Sequence, residues 1–183
     1  MFDNARKWQA EPDWQQARIV ERSVKISSRT GLHQRFVSGN IERFLGTYNL
    51  GRDVGALSIA LGDRYAVRMA RDRLLVVGIS VSELADGWHD EGFAVSTASS
   101  ALRLLEVEGR GIVDLLRRTT SIDPDNPGPC AAISFCDVSA VVYRHAGPQL
   151  LRIHLDRGYA AYVWDWLECH PLFLGDGMRV EDA

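Results

Sequence analysis

The sequence predicts an α+β fold made of duplicated ferredoxin-like units, in which antiparallel sheets carry helices on one side. Three observations favour this class: an internal repeat, short strands separated by turn residues, and amphipathic helices that follow a glycine. Residues 37–45 recur as residues 107–116 with one insertion, and residues 74–77 recur as residues 150–153. We interpret this pattern as a single duplicated domain whose loops have lengthened between the copies.

The first copy is expected to open with a strand that runs into Gly39. Asn40 then caps a helix, because Ile41, Phe44 and Leu45 follow it at the spacing of one helical face. Three strands should come next, joined by turns at Gly-Asp and Arg-Asp pairs. These strands are predicted at residues 56–61, 65–69 and 74–78.

A second helix is predicted to begin at Ser80. Ser80 and Glu83 have the spacing of a capping box, in which each side chain bonds the other's backbone N–H. The apolar face of this helix would be formed by four residues that follow helical spacing. They are Val81, Leu84, Ala85 and Trp88.

The second copy matches the first in the order of its elements. A strand at residues 101–107 precedes a helix over Ile112–Thr119, and a proline-rich loop at residues 123–129 cannot be regular structure. Strands follow at residues 131–135, 140–144 and 150–154, and a last helix is predicted over residues 159–168.

The chain should therefore consist of one domain with two short extensions. The body spans residues 18–174, with copy one at about 30–92 and copy two at about 100–170. Residues 1–17 are expected to form an extended arm, whose Trp8 and Trp14 would dock on the body or on a partner. Residues 175–183 are expected to be a polar tail.

Composition excludes several classes of function. The formal net charge of −3 gives no basic field for nucleic acid, and no apolar stretch approaches the roughly 20 residues of a membrane span. We expect no signal peptide, because the first 16 residues lack an apolar segment. Three cysteines without a CxxC pair suit a reducing compartment, so we predict a cytoplasmic protein.

The sequence contains no pattern that builds a catalytic, cofactor-binding or metal-binding site, and we predict none in this chain. Gly109-Arg110-Gly111 lacks the third glycine of a dinucleotide loop, and indicates instead a tight strand-to-helix turn. The cysteines and histidines lack zinc spacing, and the serines lack a nucleophile elbow. The residues considered and rejected are Cys130, Cys136, Cys169, His170, Ser96, Ser99, Ser100, Asp123 and Asp137.

The last helix stands out because it is apolar or aromatic on more than one face. Tyr159, Tyr162, Val163 and Trp166 form one stripe, which we expect to be core. A second stripe consists of Ala160, Trp164 and Leu167. Either the helix lies between two layers, or one face contacts another chain, since tryptophan and tyrosine are favoured interface anchors. The candidate partner interface therefore comprises Tyr159, Tyr162, Trp164 and Trp166.

Several segments, most of them in the second copy, resemble the gamma subunit of heterotetrameric sarcosine oxidase. They are residues 107–116, Pro129-Cys130-Ala131, residues 149–153, residues 157–167 and, in the first copy, residues 71–76. Two positions depart from the family pattern: Gly158 stands where serine is usual, and Arg71 where proline is common. The resemblance covers residues 30–170.

The resemblance implies a fold like the folate-binding domain of glycine-cleavage aminomethyltransferases, which agrees with the repeat. It also implies a complex that demethylates sarcosine or a related N-methyl amino acid, with alpha and beta subunits, and a delta subunit as a further candidate. FAD, FMN, NAD and tetrahydrofolate would belong to that complex, and this chain alone would bind none of them.

Three hypotheses follow from the sequence. The first is a non-catalytic gamma-type subunit that supports the folate-fold part of the alpha subunit in a sarcosine oxidase-like complex. The second is a free-standing, folate-dependent aminomethyltransferase-like enzyme. The third is a small-ligand binding module that uses a cavity between the copies. Binding of tetrahydrofolate by the isolated chain would favour the second or third.

Overall fold

A computed structural model describes residues 11–169, which form twelve strands and three helices. The strands are β1 (Arg18–Val20), β2 (Lys25–Arg29), β3 (Gln34–Gly39), β4 (Ile59–Ala60), β5 (Tyr65–Ala70), β6 (Arg73–Val77), β7 (Gly87–His89), β8 (Phe93–Thr97), β9 (Leu102–Glu108), β10 (Ala132–Phe135), β11 (Val138–His145) and β12 (Leu150–Asp156). The helices are α1 (Ile41–Thr47), α2 (Ile112–Thr119) and α3 (Arg157–Cys169). Within residues 11–169, each helix is too short or too polar to cross a membrane.

The strands form two sheets. The first sheet has seven strands in the order β1-β2-β9-β12-β11-β10, and β4 pairs in parallel with β11. The second sheet has five strands in the order β5-β6-β3-β8-β7. Every pair of neighbours along these two orders is antiparallel. The antiparallel sheets and the three helices confirm the predicted α+β class.

The two sheets face each other, and the helices cover their outer faces. Leu115 of α2 and Val163 of α3 are buried in the core on the outer side of the first sheet. Phe44 of α1 is buried in a separate core on the second sheet. A third core lies between the sheets, where Val67 of β5 and Val141 of β11 are both buried. Each sheet therefore contributes apolar side chains on both of its faces.

Two glycines allow each sheet to lead into a helix. Gly39 ends β3 with a φ of 109°, and Gly109 follows β9 with a φ of 131°. A Cβ atom added to Gly39 would overlap the carbonyl oxygen of Gly92, and one added to Gly109 would overlap that of Ser23. Only glycine fits such positions without strain, because it lacks a side chain and tolerates positive φ.

The helix predicted after Ser80 is wrong. The capping contact exists, since the Ser80 N–H donates to a Glu83 carboxylate oxygen at 3.2 Å and Leu84 N–H bonds the Ser80 carbonyl at 3.1 Å. The segment nevertheless forms a single turn, and the chain enters strand β7 at Gly87, whose φ is 119°. Trp88 then belongs to strand β7 and is exposed rather than on a helix face.

Four strands were not anticipated from the sequence. β1 and β2 lie where no element was predicted, and β7 and β8 occupy residues expected to form helix and loop. The strand predicted at residues 56–61 is reduced to the two residues of β4. The helix predicted over Ile112–Thr119 is confirmed as α2 with the same bounds.

The described end of the N-terminal segment packs against the body. Trp14 is buried in the core of the first sheet, and its ring meets that of Trp164 edge-on, with centroids 5.8 Å apart. The guanidinium of Arg103 lies 4.8 Å from the centroid of the Trp14 ring. Trp8, His170 and the tail predicted at residues 175–183 lie outside the described residues.

Candidate functional site

Six polar side chains meet in the core between the two sheets. Their alternation along the strands places them there: residues two apart on one strand share a face, and in each sheet that face is turned toward the other sheet. Their strands are β3 and β5 in the second sheet, and β9, β11 and β12 in the first. The six residues are Gln34, Tyr65, Glu106, Tyr143, Arg152 and His154.

These side chains form a continuous hydrogen-bonded chain. Arg152 Nη1 donates to the Tyr65 hydroxyl oxygen at 2.6 Å. The Tyr65 and Tyr143 hydroxyl oxygens are 2.7 Å apart, and Tyr143 lies 2.7 Å from His154 Nε2. His154 Nδ1 lies 2.6 Å from the amide oxygen of Gln34. This hydrogen-bonded chain of side chains, the buried polar chain, thus crosses between the sheets three times.

Charge and protonation fix the direction of each bond. Burial, followed by the positive charge of Arg152, lowers the pKa of His154 to about 3, so its ring is neutral at pH 7. Since Gln34 offers an oxygen, Nδ1 of His154 donates and Nε2 accepts. Tyr143 therefore donates to His154, and Tyr65 donates to Tyr143.

An ion pair between Arg152 and Glu106 lies at the other end of the buried polar chain. Arg152 Nε and Nη2 both donate to the same oxygen of Glu106, at 2.9 and 2.7 Å. Burial raises the pKa of Tyr65 and raises that of Tyr143 well above its usual value, so both phenols stay protonated. With the protons so fixed, each polar group in the chain already has a partner. The arrangement can therefore hold the sheets in register, but it offers no free base or nucleophile.

A second polar feature is an open cleft of about 1270 Å³ between α1, the segment that follows it, Arg68 of β5 and the proline-rich loop. At its wall, Arg68 pairs with both carboxylate oxygens of Asp53 and donates to the Arg71 carbonyl at 2.9 Å. The Arg68 side chain lowers the pKa of Asp53, mainly through this hydrogen bond. The arginine and the aspartate therefore neutralise each other rather than facing a ligand.

The cysteines occupy three unrelated places. Cys130 is half-buried, Cys136 is buried and Cys169 is exposed. Burial, reinforced by the charge of Asp137, raises the pKa of the Cys136 thiol to about 12, which keeps it protonated and unreactive. In residues 11–169, no three His, Cys, Asp or Glu side chains are grouped so as to hold a metal ion.

The serines and the remaining carboxylate have local structural contacts. Ser96 lies within strand β8 rather than in the expected loop. The Ser99 hydroxyl oxygen accepts the Gln34 N–H at 2.9 Å, and Ser100 lies in the turn beside it. Asp123 accepts the Asp125 N–H at 3.0 Å within the proline-rich loop.

The turn at Gly109-Arg110-Gly111 lacks the geometry of a dinucleotide-binding loop. This turn follows an antiparallel strand, whereas dinucleotide loops follow a parallel one. Its first glycine packs directly on the backbone of Ser23, and the Gly111 N–H bonds the Ser23 carbonyl at 3.1 Å. The backbone donors that a phosphate would need are thus turned toward the protein.

Helix α3 is oriented differently from the prediction. Its buried residues are Ala160, Val163, Trp164 and Leu167. The expectation that Tyr159 and Tyr162 lie in the core with Val163 is wrong, because the helix is rotated so that the small Ala160 and the Trp164 ring meet the first sheet. Trp166, expected in the core as well, packs against the edge of that core and is only partly buried. Trp164 is 2% exposed, whereas Tyr159 and Tyr162 are 54% and 47% exposed and Trp166 is half-buried.

Sequence reasoning missed the buried polar chain. Arg152 and His154 alternate with Leu151, Ile153 and Leu155 along β12, a pattern that is typical of a strand with one solvated face. Strand β12 is instead buried on both of its faces, so that Arg152 and His154 are enclosed as well. The sequence did contain a signal of the buried polar chain, because Tyr65 and Tyr143, which can hydrogen-bond Arg152 and His154, also lie on predicted strands.

Comparisons with known proteins give a consistent result. The sequence pattern described as "Sarcosine oxidase, gamma subunit family" matches residues 51–170, which is more than half of the chain. The solved heterotetrameric sarcosine oxidase from Corynebacterium sp. U-96 in complex with pyrrole 2-carboxylate contains a similar chain, with a TM-score of 0.67 and 15% identity. That likeness covers 87% of this chain and 90% of the other, and shows a shared fold. No curated protein sequence matches the chain.

Proposed function

Because the chain belongs to the sarcosine oxidase gamma subunit family, we propose that it is a non-catalytic subunit of a sarcosine oxidase-like complex. The complex would oxidatively demethylate sarcosine or a related N-methyl amino acid. Alpha and beta subunits would carry FAD, FMN, NAD and tetrahydrofolate, and a delta subunit is a further partner of the same assembly. The family match is the observation that carries this proposal.

The buried polar chain supports the absence of catalysis by this subunit. Catalytic acids and bases need a protonation state that can change and access to a substrate. His154 is fully enclosed and bonded at both ring nitrogens, and Arg152 is paired with Glu106. These groups are arranged for stability and give the subunit a rigid body on which a partner can rest.

The duplicated ferredoxin-like architecture remains part of the proposal. It is supported by the strand orders β8-β3-β6-β5 and β2-β9-β12-β11, in which the strand before each helix, β3 or β9, occupies the second place. Gly39 and Gly109 lie at corresponding points in these orders. In the second half, the outer strands β1 and β2 come from the beginning of the chain. The likeness to the folate-binding domain of aminomethyltransferases is proposed on the same basis.

The partner-facing surface is proposed to be the exposed side of α3. Tyr159 and Tyr162 are one helical turn apart, so their rings lie on one side, and Trp166 continues that side a turn further on. Trp164 supports this surface from beneath, because it fills the core and its Nε1 donates to Glu168 at 2.7 Å. Amphipathic rings of this kind are the residues that anchor protein interfaces.

Co-expression with alpha and beta subunits tests the proposal. The isolated chain should consume no oxygen with sarcosine and bind no flavin, whereas it should co-purify with the other subunits in a fixed ratio. An isolated chain that oxidises sarcosine, or one that fails to assemble, would overturn it. Tetrahydrofolate binding by the isolated chain, which calorimetry measures directly, would favour the folate-dependent enzyme or the ligand-binding module.

A further inference from the structure

The edge strand β7 of the second sheet presents an aromatic ring to solvent. Trp88 of β7 lies opposite Ala94 of β8, and Ala94 lies opposite Ser38 of β3. Directly opposed residues share a face of a sheet, and residues two apart on a strand do as well. Phe36 and Gln34 are therefore on this face too, and Gln34 belongs to the polar chain that reaches the first sheet.

The face changes from buried to exposed along its length. Phe36 is half-buried against the core between the sheets, Ala94 is half-buried, and Trp88 is 71% exposed. We call this face the Trp88 surface; it comprises Trp88, Ala94, Ser96 and Phe36. A large ring at the open end of a face that continues from the core is typical of an interface anchor rather than of an isolated surface residue.

Charge around this surface indicates the chemistry of its partner. Residues 80–91 contain four carboxylates and no lysine or arginine, in a chain whose formal net charge is −3. Glu83 is paired with Arg64, which precedes β5, and Asp86 is paired with Arg35 of β3. Asp90 and Glu91, which follow Trp88 closely, make no ion pair in the part of the chain that the structure describes. Unpaired carboxylates beside an exposed ring suit an apolar segment that carries lysine or arginine.

A second copy of the chain is the other occupant that charge would allow. The matching end of the first sheet bears the exposed Val20 on β1, together with Arg18 and Lys25. That contact would join two different patches head to tail, and such contacts produce open chains unless the rotation closes. A segment of a different subunit satisfies the Trp88 surface without that consequence.

We propose that the Trp88 surface docks an apolar, lysine- or arginine-bearing segment of a partner subunit, separately from the exposed side of α3. This inference rests on the proposed function, because it requires the assembled complex. A gamma-type subunit with two such surfaces would connect two parts of its partners rather than cap one of them.

The test uses the full chain co-expressed with alpha and beta subunits, and measures affinity by titrating purified variants into the remaining subunits. Trp88→Ala should weaken assembly by about 30-fold, as loss of an interface anchor does. Asp90→Lys combined with Glu91→Lys should weaken it further as salt is lowered, because repulsion then becomes stronger. The matched controls are Leu61→Ala, at an equally exposed residue that follows β4, and Asp125→Lys in the proline-rich loop. Both variants should assemble normally.

The possible outcomes separate the two proposals. If the wild-type chain assembles and neither Trp88→Ala nor the Asp90 and Glu91 lysine variant changes the affinity, this inference is overturned and the proposed function stays intact. Failure of the wild-type chain to assemble would overturn both. A change in self-association of the isolated chain on Trp88→Ala, without a change in affinity for the other subunits, would assign the surface to a second copy and refute the partner segment. If Trp88→Ala lowers the melting temperature, the lysine pair decides the question.

Discussion

The hydroxyl groups of Tyr65 and Tyr143 meet at 2.7 Å where the two sheets face each other. Their rings are arranged edge to face, with centroids 5.6 Å apart. Because each hydroxyl group also bonds a second partner, the pair links a charged arginine on one side to a neutral histidine on the other. Buried polar chains of this type specify one packing of two sheets, since any shift in register leaves several groups unpaired.

Tyr143→Phe should destabilise the chain without changing its fold. The substitution leaves the Tyr65 hydroxyl without its acceptor and His154 Nε2 without its donor, at a cost of about 2–4 kcal/mol for two buried groups. Chemical denaturation measures the free energy of unfolding. Tyr162→Phe, at an exposed position on α3, is the control and should change it by less than about 0.5 kcal/mol. Equal stability of both variants would show that the polar chain adds nothing to folding.

His154 predicts a specific loss of stability in mild acid. Its folded pKa is lowered to about 3, whereas an unfolded histidine titrates near 6.5. Between these values the unfolded state binds the extra proton, so the contribution is complete above pH 6.5 and is lost as the pH falls toward 3. The free energy of unfolding should decrease by about 1.4 kcal/mol per pH unit below pH 6.

The window from pH 6.5 to 5 isolates this histidine from most carboxylates, which titrate lower. His154→Gln removes the titrating group, so its free energy of unfolding should vary less with pH across that window. The variant will be less stable at pH 7, but the slope is the quantity compared. The same slope in both proteins would contradict the enclosure of His154 in the folded state.

Local sequence patterns predicted the elements that depend on local interactions. Helix α2 was predicted at its observed bounds because residues 107–116 repeat the strand, glycine and amphipathic helix of the first copy. Strand β2 was missed because Ile26 is the one buried residue among its five, and β8 because its alternation is limited to Phe93 and Val95 in a segment expected to be a loop. β2 pairs with β9 and β8 pairs with β3, and in both cases the partner strand lies far away in the sequence.

The candidate site was less predictable for a physical reason. Periodicity reports which side of an element is polar, and it cannot distinguish a solvated polar face from one whose groups bond each other across two sheets. Arg152 and His154 are of the second kind. The aromatic character of α3 was recognised, but the identity of its buried side depends on Trp14, which packs on Trp164 from outside the helix.

Glycine substitutions should separate the two turn glycines from an ordinary helical glycine. Gly39→Ala and Gly109→Ala each introduce a Cβ at positive φ that overlaps backbone, and each should cost about 2 kcal/mol or more. Gly46→Ala is the control, because Gly46 lies in α1 with open space around it and alanine favours helices. It should stabilise the chain by roughly 0.5–1 kcal/mol. Thermal melts of the three variants measure the effect. The melting temperature should fall for Gly39→Ala and Gly109→Ala and rise for Gly46→Ala.

The two tryptophans of α3 should differ in their effect on the isolated chain. Trp164→Ala removes a ring that is packed against Trp14 in the first-sheet core, and should cost about 3–5 kcal/mol. Trp166→Ala removes a half-buried ring and should cost less than half as much. Urea denaturation of both variants gives the comparison. A larger loss for Trp166→Ala would mean that the helix is rotated toward the orientation first predicted from the sequence.

The exposed side of α3 should matter for assembly and little for folding. Tyr159→Ala and Tyr162→Ala remove rings that are about half exposed, so each variant should melt within a few degrees of the wild type. If this side contacts a partner subunit, the double variant should weaken assembly by about 2 kcal/mol or more, which is the effect expected of interface anchors. The measurement is titration of the folded variant into the alpha and beta subunits. Val113→Ala on α2, another exposed apolar position, should assemble normally. Unchanged affinity in the double variant would remove α3 from the interface and leave the Trp88 surface as the remaining contact to be tested.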